Sequence, residues 1–475
     1  MKMFEYRRQH PLMIVQQSIR GFLQFIWLIF ILLVTWSSTP NQDFSALYII
    51  GVLFSVSFVW AVLSWAFFTY RFENDTLHVR TGVIFKNERS IRRERVQSVN
   101  VFTNFLQQPF RVSRLQIKTA GSATEVEFNL YSVKWEEAEH IRQVFQSNDM
   151  ARTSEIVSGS RNPVYKVQKR EMLIAGLTSG RFLILFTFLF ALYSQFAQFI
   201  PEELVESLLD QLVSTPIHLI LMLTTGLLLA SWLASTIYFV IQYYDFTVTR
   251  QGDHLHLSWG IIEQKKVSVK VERVQALSVK ETPLRQLFGR CSLNVELAGG
   301  ASEKQEQLKT LCPILAVRNV DEFLLNILPE YTLPNKTDPL PPRSLRRYIF
   351  RAIVPPLLLI LPLHYMQVPY IHLAYLSLAP VIGLALLRHR EAATSIMGNH
   401  LFMRFRLFSK VSVMVKKNHL QSLTLASNPL QRISSLRNVS VAVLSSPMRA
   451  YFTVKDVDTK EVGKIWAWYS SDKRQ

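Results

Sequence analysis

The chain has 475 residues, room for two or three domains, a formal net charge of +18 and 49% hydrophobic residues. The hydrophobics fall in long runs that no soluble domain of this size needs, and the basic residues lie outside those runs, so Lys and Arg read first as flanks of membrane helices rather than as a nucleic-acid surface. Two cysteines, Cys291 and Cys312, make no disulfide framework and have no histidines at zinc-site spacing.

Residues 1–20 are mixed and basic, and no small-residue motif separates the first apolar run from the second, so no cleavable signal is expected. A helix needs about 20 apolar residues to cross the hydrocarbon core. Six runs approach that length and pair into three hairpins: Phe22 to Trp36 with Phe44 to Phe68, Phe182 to Ile200 with Ile217 to Ile241, and Tyr348 to Leu363 with Tyr370 to Leu387. Pro355, Pro356, Pro362 and Pro380 should bend the last pair. The three short connections carry Asp43, Glu202, Glu203, Glu206 and Asp210 and no Lys or Arg, whereas Arg7, Arg8 and Arg20, Lys169, Arg170 and Arg181, and Arg343, Arg346, Arg347 and Arg351 precede the hairpins. Both termini and every large region outside the membrane are therefore expected in the cytoplasm of a cell (inner) membrane protein.

Those regions repeat. Residues 82–121 realign with 260–299 at a constant offset of 178, and a third copy keeps the ruler at a further 146. Glu94, Arg95, Val96 and Gln97 lie over Glu272, Arg273, Val274 and Gln275, and Gln421 matches Gln275. The run Leu106 to Phe110 lies over Leu284 to Phe288, and Ala120 and Gly121 over Ala298 and Gly299. In the third copy Arg406 replaces the glycine of Gly82 and Gly260, so that copy has diverged. Inside a repeat, Thr76 to Arg80, Leu255 to Trp259, Val96 to Phe102, Leu115 to Thr119 and Thr124 to Leu130 read as strands. Lys134 to Phe145 then closes the repeat as a helix, with Val317 to Leu328 and Val457 to Trp468 in the other copies. The predicted order is an N-terminal segment and first hairpin (1–68), a β domain (69–146), a linker (147–164), a second hairpin (165–241) and β domain (242–330), a Pro-rich linker (331–343), a third hairpin (344–388) and a third β domain (389–475).

A hairpin followed by a β domain with Gly82, Glu94 to Gln97, Leu106 to Phe110, Ala120 and Gly121 resembles the bacterial pleckstrin-homology-like membrane domain. Three such units in tandem resemble the YdbT-type proteins of Gram-positive bacteria. The resemblance implies membrane α plus cytoplasmic β architecture: six transmembrane helices, each pair followed by a PH-like β-sandwich or barrel with a C-terminal helix. It also implies a role at the cell envelope, in tolerance to membrane-active peptides, beside a smaller membrane protein with the same domain. It supplies no catalytic motif.

Three basic clusters invite membrane-lipid binding: Arg89, Arg92, Arg93 and Arg95; Lys265, Lys266, Lys270 and Arg273; Lys410, Lys416 and Lys417. A juxtamembrane Lys or Arg gains about 1 kcal/mol near an anionic leaflet; the same residues also suit plain positive-inside flanks. Arg95 with Gln97, and Arg273 with Gln275, fall on one strand face and form either a shared functional face or structural hydrogen bonds of the repeated fold. His254 and His256 share a face without a third ligand nearby, and HExxH, GxSxG and GxxxxGK[ST] are absent. No Asp, Glu or Lys lies within the six runs, which weakens an ion-coupled transporter. The sequence thus points to a non-enzymatic interaction scaffold without cofactor or metal; a lipid or peptide exporter is the alternative.

Overall fold

The computed structural model describes residues 6–29, 31, 45–73, 76–119, 128–154, 164–180, 184, 187, 217–298, 309–334, 337–368, 371–445 and 449–471. In the first repeat, β1 (Arg7–Arg8) and α1 (Leu12–Gln24) lead to α2 (Ser45–Phe67). Strands β2 (Thr69–Glu73), β3 (Thr76–Thr81), β4 (Asn87–Arg92), β5 (Val96–Thr103), β6 (Val112–Thr119) and β7 (Phe128–Lys134) follow, and α3 (Trp135–Ser154) closes the repeat. The second repeat runs β8 (Val164–Lys166), α4 (Lys169–Leu177), α5 (Ile217–Tyr243), β9 (Thr247–Gln251), β10 (His254–Trp259), β11 (Gln264–Lys270) and β12 (Val274–Glu281). It continues through α6 (Pro283–Leu287), β13 (Arg290–Leu297), β14 (Thr310–Ala316) and α7 (Val320–Ile327). The third has β15 (Asp338–Pro339), α8 (Leu345–Tyr365), α9 (Ile371–Leu376), α10 (Leu378–Glu391), β16 (Ala393–Met397), β17 (His400–Arg406), β18 (Lys410–Lys416), β19 (Leu420–Ala426), α11 (Pro429–Ile433), β20 (Leu436–Val443), β21 (Ala450–Asp458) and α12 (Thr459–Ser470).

Among the described residues four helices, not six, are long and apolar enough to cross a membrane: Tyr48–Phe67, Thr225–Tyr243, Pro342–Tyr365 and Ile371–Glu391. Of the expected span Phe22 to Trp36, residues 22–29 and 31 are described and the rest lie outside the described residues, while Phe182 to Ile200 falls almost wholly outside them. Pro355, Pro356 and Pro362 lie within α8. The last run is interrupted at Ser377, between α9 and α10. Pro380 accounts for the break, since it lacks an N–H and its ring crowds the carbonyl of Leu376 four residues back.

The chain divides into two compact units: residues 1–162 with 251–258 and 262–270, and residues 163–250 with 259–261 and 271–475. In the first, β1-β2-β3-β4 form one antiparallel sheet, and β7-β6-β5-β11-β10 are neighbours in another. Alternation fills its core: Leu77 and Val79, Val99 and Val101, and Leu115 and Ile117 are each two apart and nearly fully buried, with Ala138, Ile141 and Phe145 of α3 packed on them. That helix runs on to Ser154, past the end of its apolar face at Phe145. In the second unit β8 pairs β9, seven strands run β14-β13-β12-β18-β17-β16-β15, and β19-β20-β21 form a third sheet. Leu401, Met403, Val413, Val415, Val439, Val441 and Val454 build the third repeat's core under Val462 and Ile465 of α12.

Successive repeats share sheets. The second repeat's β11 pairs antiparallel with the first repeat's β5, Lys266 opposite Val101 and Gln264 opposite Thr103. The third repeat's β18 pairs in the same way with the second repeat's β12, Ala276 opposite Val415 and Glu281 opposite Lys410. At the offsets of 178 and 146 these two joints have the same register.

Candidate interaction surfaces

The repeat motif is a set of structural locks. Gly82 ends β3 at φ +109° and Gly260 ends β10 at φ +99°. This region favours glycine, and a Cβ on Gly82 would stand 1.8 Å from the Phe85 carbonyl oxygen. Arg273 donates from Nε and Nη2 to the Ala298 carbonyl oxygen at 2.9 and 2.6 Å, while the Ala298 N–H donates to the Arg273 carbonyl at 2.9 Å. The Glu-Arg-Val-Gln and Ala-Gly stretches of the motif thus clasp each other, and burial lowers the Arg273 pKa. Gln275 is buried beside it, whereas Gln421 is exposed. The side chains of Arg95 and Gln97, with Ala120 and Gly121, lie outside the described residues. Arg406, where the third copy lacks its glycine, remains in β17 as its last residue. Its guanidinium binds both Glu391 carboxylate oxygens and donates to Gln286 Oε1 of the second repeat at 2.6 Å. Divergence there produces a contact between repeats.

Most of the described basic residues in the second and third repeats engage neighbours of their own unit. Lys265 is buried against Glu263 at 2.9 Å. Lys266 reaches Glu139 of α3 at 3.8 Å and lies 5.1 Å from the Trp135 ring centroid. Lys410 meets Glu281 at 2.9 Å, and Lys416 binds Glu330 and lies over the Tyr331 ring. Lys417 donates to Ser471 Oγ at 2.8 Å and stands over Trp468. Lys270 and Arg93 are half-buried. Only Arg89 and Arg92 among the described members are exposed, on β4. The distribution follows from the shared sheets: β11 and β18 each have a repeat against their outer edge, and β4 lies at the end of its sheet.

One set of residues escaped the sequence reading. Each repeat turns after its fifth strand through a buried polar side chain at the position of Gln107, Arg285 and Gln431. The Asn104 N–H donates to Gln107 Oε1 at 3.0 Å, and the Asn428 N–H donates to Gln431 Oε1 at 3.0 Å. Gln107 Nε2 then donates to the Tyr131 carbonyl at 2.7 Å and to Gln16 Oε1 of α1 at 3.3 Å. Gln431 Nε2 donates to Asn438 Oδ1 and to Asp456 Oδ1, each at 2.7 Å. The wholly buried Asp456 carboxylate also takes Arg351 of α8 at 2.6 Å and Arg347 at 3.6 Å. In the second repeat Arg290 binds Glu171 of α4 at 2.6 Å. Every β domain is therefore fastened by polar contacts to a helix that precedes it. The visible signal was the recurrence of Gln107, Arg285 and Gln431 on the offset ruler.

A cavity of about 190 Å³ lies beside α1 and α2, lined by Gln16, Gln17, Arg20, Gln24, Ser57 and Tyr131 among others. Arg20 stands 5.1 Å and Arg114 5.0 Å from the Tyr131 ring centroid, and desolvation lowers the Arg114 pKa. The His254 and His256 rings stack at 6.3 Å, and burial depresses His256 to about 4. Among the described residues no group of three or more His, Cys, Asp or Glu side chains could hold a metal. Cys291 and Cys312 are buried free thiols, and burial pushes Cys291 up to about 12, well out of the nucleophilic range.

The Bacterial PH domain family matches three stretches, residues 21–148, 195–330 and 352–473, each ending at the closing helix of a β domain or just beyond it. The UPF0699 transmembrane protein YdbT of Bacillus subtilis (strain 168) is 29% identical over 489 residues, covering 99% of both chains. No solved structure matches significantly. Three tandem matches over most of the chain, together with full-length similarity to that transmembrane protein, show that the chain belongs to the bacterial PH domain family, as a membrane protein of the YdbT type.

Proposed function

We propose that this protein is a non-catalytic membrane scaffold whose hairpins hold PH-like domains at the cytoplasmic face for contact with a partner protein or with anionic lipid. One observation carries the reading: successive repeats are joined by main-chain pairing, β5 with β11 and β12 with β18, in one register. Strand addition fixes orientation and spacing between modules in a way that flexible linkers cannot. The polar fasteners at Gln107, Arg290 and Asp456 tie each sheet to its preceding helix, so a sheet's position is coupled to that of its helix. The charge asymmetry of the loops supports a cytoplasmic placement. We place the process at the envelope, in tolerance to membrane-active peptides, with a smaller protein carrying the same domain as the candidate heterologous partner.

The test is gentle purification of the tagged full chain from its native membranes, with identification of the proteins and lipids that accompany it. A stoichiometric protein supports the scaffold, and recovery of the chain alone overturns its protein arm. For the lipid arm, Arg89, Arg92 and Arg93 are replaced together by Gln. At about 1 kcal/mol per juxtamembrane charge, enrichment of anionic over zwitterionic lipid around the protein should fall severalfold at low salt. Unchanged enrichment removes that arm. Export of a lipid or peptide is the second reading, and the polar cavity beside α1 and α2 favours it; reconstituted protein that moves no substrate across a vesicle bilayer would overturn it.

A further inference from the structure

The shared sheets leave two ends. Each repeat has a fourth strand that adds to the repeat before it and a fifth strand that receives the repeat after it. The fourth strands are β4, β11 and β18, and the fifth strands are β5, β12 and β19. Four of the six are used: β11 on β5 and β18 on β12. Among the described strands β4 pairs only with β3 and β19 only with β20. Burial records the difference. β12 is covered at every residue but Lys280, while its counterpart β19 is buried only at Leu420. β11 is buried at four of its seven residues, and β4 only at Ile91. An uncovered edge presents unpaired N–H and C=O groups and templates a further strand.

We infer that the β19 edge of one copy receives the β4 edge of a second copy of this chain, continuing head to tail the joint that the chain already makes twice within itself. The register common to both internal joints fixes the new one. Carried by the same offsets, it sets Ser422 opposite Ile91, Leu423 opposite Ser90, Thr424 opposite Arg89 and Leu425 opposite Glu88. Both edges have the length and exposure this requires. Charge supports the pairing as well. In the first internal joint Lys266 on β11 reaches Glu139 on the closing helix of the preceding repeat. At the open ends the signs are exchanged: Glu88 occupies the β4 position of Lys266, and Lys464 stands one residue beyond the position of Glu139 in α12. Both are at least half exposed. A contact between two different surfaces is heterologous and builds rings or open rows rather than a two-fold dimer, here in the plane of the membrane.

The inference deepens the scaffold reading and rests on it, yet a separate measurement reads it, since co-purification reports partners and lipids while cross-linking reports this edge. Two full-length copies with different tags, one Arg89→Cys and one Thr424→Cys, are co-expressed and oxidised in the membrane. Directly opposed residues of an antiparallel pair lie about 4.5–5.5 Å apart, within disulfide reach. The native thiols are buried and stay silent. A Lys280→Cys, Val411→Cys chain, opposed in the second internal joint, is the positive control for fold and register. The expected result is a product of twice 55 kDa carrying both tags, reduced severalfold when Ser427→Cys replaces Thr424→Cys. Two results overturn the inference. One is no mixed-tag product although the control closes and both new thiols react with maleimide. The other is a chain bearing both substitutions that oxidises fully without any increase in mass, because its edges then close on each other.

Discussion

Asp456 offers the sharpest test of how a PH-like sheet is tied to its hairpin. Its carboxylate has no solvent exposure, accepts from Arg351 at 2.6 Å and from Gln431 Nε2 at 2.7 Å, and is ion-paired with Arg347 at 3.6 Å. Removing it leaves two arginines and a buried amide facing an apolar hole. Breaking one side of a buried pair costs about 3–5 kcal/mol. Asp456 also sits at φ +60°, where alanine adds about 1 kcal/mol of backbone strain. Asp456→Ala should therefore destabilise the third repeat by about 4–6 kcal/mol, a rise of about a thousandfold or more in the population of its opened state. Asp456→Asn keeps the tolerance for positive φ and most of the hydrogen bonding, and should cost about 2 kcal/mol. Amide hydrogen exchange of β20, β21 and α12 in the detergent-solubilised full chain reads both values. Arg343 with Asp458, 47% and 24% exposed, is the internal control; Arg343→Gln should cost under about 1 kcal/mol. Equal protection in Asp456→Ala and wild type, or equal losses at Asp456 and Arg343, would refute the argument that burial makes the first pair matter.

Gly82→Ala should destabilise the first repeat by about 2–3 kcal/mol, because its Cβ meets a carbonyl at 1.8 Å in a strained φ region, and hydrogen exchange in β3 and β4 measures it. Arg273→Ala strips the Ala298 carbonyl of a charged donor and should cost about 1–3 kcal/mol, seen as faster exchange in β12 and β13; a Lys in its place should recover less than half. His256 titrates near 4 in the folded protein against 6.5 unfolded, so the unfolded chain binds more protons between those values. Stability should then be full above about pH 6.5 and fall by at most about 3 kcal/mol as pH drops toward 4, and denaturation midpoints of His256→Gln should show a flatter acid limb.

Much of the architecture was written in one dimension. Apolar runs of spanning length announce membrane helices because lipid leaves the backbone no other partner. A motif repeated at offsets of 178 and 146 announces three copies of one fold, and strand alternation at Thr76 to Arg80 and Leu255 to Trp259 survives as β3 and β10 because each has one buried face. One strand expectation needed adjustment: β7 continues to Lys134, past the expected end at Leu130, while the expected start, residues 124–127, lies outside the described residues. The difference is positional, since local patterns fix a type of element more firmly than its ends.

The strands β4, β11 and β18 were harder to see. Read in sequence, Asn87 to Arg92 and Gln264 to Lys270 are charged stretches, and charge suggests solvent or lipid. What makes β11 and β18 interior is a neighbour that belongs to another repeat, hundreds of atoms away along the chain. Lys266 turns toward Glu139, Lys410 toward Glu281 and Arg406 toward Gln286 only once those sheets are joined. The buried polar set around Gln107 and Asp456 is invisible for the same reason: a hydrogen bond across 25 or 105 positions leaves no periodic trace. The sequence by itself determined membrane insertion, repeat number and strand type, because those follow from composition and local alternation. The tertiary structure alone decided which charges are spent within the fold and which edges stay open, because each depends on what the chain brings alongside.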